Sequence, residues 1–122
     1  MMFKTILVCA VLATLLLNGC YYDNEEELYP SNFCDTLNVT YANTVRPIIQ
    51  ARCATPGCHV AGGDGTGDFI VFGEFAEQVA NGRVLRSITR DPAGIPMPPS
   101  AALPPCELRQ IQLWIEAGAN NN

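Results

Sequence analysis

Apolar residues follow two patterns along the chain. Ile6 to Leu17 is an almost unbroken apolar run. Further on, apolar residues return every three or four positions, the period of a helix with one buried face. Val45, Ile48, Ile49 and Arg52 fall on adjoining turns and predict a helix over 44–53. Asn43 or Thr44 would cap it, with Pro47 tolerated in the first turn. Phe72, Phe75, Ala76 and Val79 predict a second helix over 73–80, ended by Asn81-Gly82. Val84, Leu85 and Ile88 predict a short third one over 83–89. Leu108, Ile111, Gln112 and Ile115 form a stripe, adjoined by Trp114, on a last helix over 105–117 with prolines at its start and Gly118 past its end. Strand alternation is confined to Phe69 to Phe72, and Asn120 to Asn122 read as a frayed tail. The expected class is all-α with long loops.

The first apolar run is too short to span a bilayer and follows one lysine, Lys4, so it reads as a signal-peptide core. It ends in Leu17-Asn18-Gly19-Cys20, which resembles the lipobox of bacterial lipoproteins. That likeness implies cleavage after Gly19 and lipidation of Cys20, with each buried methylene contributing about 0.8 kcal/mol to anchoring. The expected organisation is a signal peptide over 1–19, an acidic tether over 20–33 and a folded domain over 34–122. The tether, with Asp23 and Glu25 to Glu27, reads as a solvated spacer or a surface-sorting signal. Both place the protein in the cell envelope, lipid-anchored, on the periplasmic or cell-surface side.

The chemistry concentrates in Cys53-Ala54-Thr55-Pro56-Gly57-Cys58-His59. Two cysteines followed at once by a histidine are what covalent haem attachment needs. Each thiol can add to one vinyl group, and the histidine sets an imidazole beneath the iron. Four residues separate the cysteines instead of the usual two, and the added length includes Pro56-Gly57, a turn signal. Two plainer readings compete. One is a local Cys53–Cys58 disulfide. The other is a zinc site, which would need a second cluster of ligands that the chain lacks.

Haem iron in electron transfer takes a second axial ligand. His59 is the only histidine, and Met97 is the only methionine beyond Met2. No lysine follows Lys4. His59 with Met97 is therefore the available pair, and a thioether ligand raises the potential. Met97 sits in Ile95-Pro96-Met97-Pro98-Pro99, where prolines stiffen the backbone and exclude helix. The glycine-rich run over 61–68 lacks the lysine and the strand–helix setting of a phosphate loop, so it reads as a flexible loop over the haem edge. With haem on Cys53 and Cys58 and lipid on Cys20, Cys34 and Cys106 remain to form a disulfide suited to an oxidising compartment. Without haem, four cysteines remain and three pairings are open.

Three pieces together resemble class I cytochromes c, in particular the planctomycete-type cytochrome c domain of exported bacterial proteins. They are Val45-Arg46-Pro47-Ile48-Ile49 leading to Cys53, Cys58 and His59; Met97-Pro98-Pro99; and Trp114-Ile115-Glu116-Ala117-Gly118-Ala119. The resemblance implies a small cytochrome c-like fold, its terminal helices packed together beside a covalently bound haem c. Val45, Ile48 and Ile49 would face Leu108, Ile111 and Ile115.

The expected function is single-electron transfer between redox partners, with no small-molecule substrate and no enzymatic step. One alternative is a haem peroxidase or sensor with a displaceable Met97, though no second histidine could serve as its distal acid–base group. Another is a haem-free, disulfide-bonded binding lipoprotein. Without Lys4, the seven cationic residues become six arginines against twelve acids, a net charge of −6. That disfavours nucleic acid and favours basic or mixed-charge protein partners.

Overall fold

The structure, a computed structural model, describes residues 34–122, which form one unit. The expected signal peptide, the lipidation site at Cys20 and the acidic tether lie outside the described residues. Among those described there is no strand, and no helix is long and apolar enough to cross a membrane. The elements are a π-helical turn (Tyr41–Val45) running into α1 (Arg46–Arg52), then α2 (Phe72–Ala80), α3 (Arg83–Ile88) and α4 (Pro105–Glu116). The fold is thus all-α, with long connections as expected.

The first helix starts earlier than the 44–53 periodicity suggests. Its cap is Thr40, whose side chain accepts from the Asn43 N–H at 3.3 Å, not Asn43 or Thr44. Pro47 explains the wide opening turn. It has no N–H to give to Asn43, and its ring crowds that carbonyl in a regular helix. A π-helical turn spreads the preceding residues, and Tyr41 rotates into the core. Arg52 does not join the buried face. Its guanidinium meets Glu107 of α4 in a two-pronged bond, Nε to Oε2 at 2.9 Å and Nη2 to Oε1 at 2.7 Å.

Tyr41, Val45, Ile48 and Ile49 share one core with Phe69, Phe75, Val79, Val84, Ile88, Leu103, Ile111 and Trp114. The terminal helices pack together through the π-helical turn. Trp114, rather than Ile115, is the centre of the α4 contribution: it is 1% exposed, while Leu108 and Ile115 are half-buried at the margin. Its ring lies 5.7 Å from Phe75 and 5.6 Å from Tyr41. Burying such rings offsets much of the chain entropy that a small unit must overcome. Cys34 and Cys106 are bonded, with Cα atoms 5.5 Å apart and a sequence separation of 72. In the chain-entropy model that closure is worth on the order of 4 kcal/mol.

Two further expectations are corrected. Phe69 to Phe72 is a turn leading into α2, held by the Asp68 carboxylate, which accepts from Ile70 N–H at 2.9 Å. Ile70 and Val71 are exposed, so the apolar run does not mark a strand. The tail is also pinned rather than frayed. Asn122 accepts from Tyr41 N–H through its side chain (2.8 Å) and from Ala42 N–H through its backbone oxygen (2.9 Å). Those donors belong to a helix start, which has no internal partners for them. Trp114 Nε1 donates to the Asn120 carbonyl at 2.8 Å and fixes the tail from the core side.

Candidate functional site

Helix α1 ends at Cys53, whose N–H still bonds to the Ile49 carbonyl at 2.9 Å. The chain then makes a tight turn. Cys58 N–H donates to the Thr55 carbonyl at 2.9 Å, with Pro56 and Gly57 in the corner and Gly57 at φ 81°. Proline followed by a residue of positive φ is the type II pattern. His59 N–H then donates back to the Cys53 carbonyl at 3.1 Å. The added residues between the cysteines are absorbed in this turn, and the backbone at Cys53 and His59 is drawn together. Among the described residues, neither thiol is bonded to the other or to any other cysteine. Cys58 is exposed, whereas burial of Cys53, with smaller effects from Cys58 and Glu107, pushes its thiol up to about 11. At neutral pH Cys53 is a protonated thiol.

The glycine-rich run is held, not loose. Asp64 N–H donates to the Gly57 carbonyl and Gly65 N–H to the Cys58 carbonyl, at 3.1 and 3.2 Å. The fit is close enough that a Cβ at residue 65 would lie 2.7 Å from His59 Nδ1. A Cβ at residue 63 would lie 2.0 Å from the Cys58 carbonyl oxygen. On one side, His59 Nδ1 is 3.1 Å from the Thr66 carbonyl, an acceptor that makes Nδ1 the protonated nitrogen and leaves the Nε2 lone pair free. On another, the ring stacks on Phe69, centroids 4.0 Å apart.

The connection from α3 to α4 carries Met97. Met97 N–H donates to the Ser87 carbonyl at 3.1 Å, which moors the loop to α3. Arg90 Nη2 donates to the Pro98 carbonyl at 2.9 Å. Arg90 itself has φ 56°, an uncommon state for a residue with a side chain.

These segments enclose one cleft of about 580 Å³. Cys53, Cys58, His59 and Met97 all line it, so the four residues singled out in the sequence meet at one place. Ile49, Phe69, Phe75, Val84, Ile88 and Ile95 supply apolar wall, and Arg52, Arg83 and Arg86 also line it. Among the described residues, no three His, Cys, Asp or Glu converge to hold a metal ion, so no zinc cage is assembled. The donors suit a ligand that brings most of its own coordination. One fixed imidazole, one thioether and two free thiols edge a mostly apolar slot, within the size range of cofactor sites.

Sequence reasoning missed Thr66, Phe69, Ser87 and Arg90 as supports of this site. A main-chain carbonyl leaves no mark in sequence. The density of glycines over 61–68 was the one visible sign that backbone had to approach a neighbour closely. No family model, curated protein or solved structure matches the chain.

Proposed function

We propose that the protein is a monohaem c-type cytochrome of the planctomycete-like kind, a carrier of single electrons. The observation that carries this is the meeting of the only histidine, the only methionine beyond Met2 and two free cysteines on one largely apolar cleft. Haem supplies an iron that changes oxidation state by one electron without making or breaking bonds in a substrate.

The chain's own groups have separable tasks. Cys53 and Cys58 would hold the haem covalently, as thioethers to its two vinyl groups. His59, oriented by Thr66 and Phe69, would give its Nε2 to the iron. Met97, in a loop held by Ser87 and Arg90, would give its sulfur to the iron. The apolar wall keeps water away, which limits reorganisation on electron transfer. Lipidation at Cys20 would hold the protein at a membrane of the cell envelope, and its acidic charge favours basic or mixed-charge redox partners.

The test is export of the full chain in cells that contain the haem-attachment machinery, followed by haem staining on a denaturing gel. A stained band is expected. A colourless band of correctly exported protein overturns the reading in favour of a haem-free binding lipoprotein. His59→Ala should abolish stable holoprotein. Met97→Ala should keep the stain and lower the reduction potential; an unchanged potential removes Met97 as ligand. A high-spin ferric spectrum at neutral pH would point instead to a peroxidase or sensor.

A further inference from the structure

The cleft has a polar side that the four donor residues do not account for. Arg83 and Arg86 are both on α3, three positions apart, so they emerge from the same side of the helix. Both line the cleft. Among the described residues the ion pairs are Arg52–Glu107 and Arg109–Glu116, so neither α3 arginine has a carboxylate partner. Their hydrogen bonds are long and to neutral groups: Arg83 Nη1 to Gln78 Oε1 and Arg86 Nη2 to the Asn81 carbonyl, each 3.4 Å. Gly94 lies against the Arg86 stem, where an added Cβ would be 3.1 Å from the arginine's own Cβ. Acids outnumber bases twelve to seven in the chain, yet two uncompensated guanidinium groups edge its apolar cleft.

We infer that Arg83 and Arg86 form a clamp for the carboxylates of an otherwise apolar ligand. A guanidinium presents a planar fork that matches a carboxylate, and such a charged bond is strongest at the edge of an apolar slot. The ligand class is a flat apolar body carrying two acidic arms on one edge. Resting on the haem reading, the arms are the two propionates, and the clamp fixes which edge of the macrocycle faces α3. Arg52 is not part of it, because Glu107 already holds its fork.

The experiment uses the full chain in haem-free form and two probes, haemin and haemin dimethyl ester. Quenching of Trp114, the only tryptophan, reports binding. The wild type should bind the diacid at least tenfold more tightly than the diester. Arg83→Gln/Arg86→Gln should lose that preference while still binding the diester as the wild type does. Arg83→Lys/Arg86→Lys should keep part of it, and Arg109→Gln, on the Glu116 pair, should keep all of it. Equal affinity of the wild type for both probes overturns the clamp, as does a preference that survives in the double Gln variant. Binding of neither probe also overturns it. The haem reading falls separately, on the absence of covalently stained holoprotein.

Discussion

The imidazole of His59 lies nearly parallel to the ring of Phe69, the two planes 12° apart at a centroid distance of 4.0 Å. Phe69 is in turn 5.1 Å from Phe75, which stacks on Trp114. The imidazole at the cleft is therefore braced against the centre of the core through a run of aromatic rings. Phe69→Leu keeps an apolar group at a buried site but removes the flat support. It should cost about 1 kcal/mol beyond the change in buried area, read from urea unfolding of the haem-free chain. On the haem reading, the same change should broaden the spectrum of the loaded protein without loss of stain.

Gly65 limits the same ring from its edge. Gly65→Ala puts a methyl group 2.7 Å from Nδ1, and Phe69 leaves the ring little room to retreat. The expected cost is about 1–3 kcal/mol, with a shifted reduction potential in the holoprotein. Gly73→Ala is the matched control. Nothing lies within 4 Å of its added carbon, and within α2 it should stabilise the fold by up to about 1 kcal/mol. Differential scanning calorimetry of the two variants checks the contrast.

Cys53 gives the haem-free chain a pH dependence whose sign follows from burial. Its thiol is raised from 9.0 to about 11, so the folded chain holds the proton more tightly than the unfolded chain. The resulting stabilisation is complete below pH 9 and is lost as pH rises through 11. It amounts to on the order of 3 kcal/mol. Unfolding free energy should fall across that window more steeply in the wild type than in Cys53→Ala, which keeps the contribution of Tyr41, raised above its usual 10.0 by burial. Alkylation at neutral pH should strike exposed Cys58 first.

Arg90 holds the methionine loop at a conformational cost. Its positive φ costs on the order of 1 kcal/mol, while its side chain secures the Pro98 carbonyl. Arg90→Gly removes both. Overall stability should therefore change by less than about 1 kcal/mol, while on the haem reading a methionine–iron charge-transfer band should vanish about one pH unit lower on alkaline titration. A band that persists to the same pH in Arg90→Gly would deny Arg90 that role.

Much of this arrangement was legible from spacing. The turns of α2, α3 and α4 follow their apolar residues to within a residue or two at each end. Cys53, Cys58, His59 and Met97 stood out because each is scarce or placed next to its partner. What stayed hidden depended on backbone groups or on distant residues. The start of the first helix moved because Pro47 forces a wide turn and because Asn122 satisfies its orphan N–H groups, a relation across 81 positions. Arg52 looked like part of an apolar face, since its partner Glu107 lies on another helix. Trp114 looked peripheral to a stripe, because periodicity gives no weight to the volume of a side chain. Thr66 and Ser87 act through carbonyl oxygens that every residue has.

The bond between Ala42 and Asn122 has a consequence for architecture on a larger scale. It brings the opening turn of the first helix to the last residue, while Cys34, at the other end of the unit, is tied to Cys106 at the start of α4. The cleft draws its lining only from the stretch between Ile49 and Pro99, so neither end contributes to it. Chain added at either end of the unit would therefore leave the lining of the cleft unchanged.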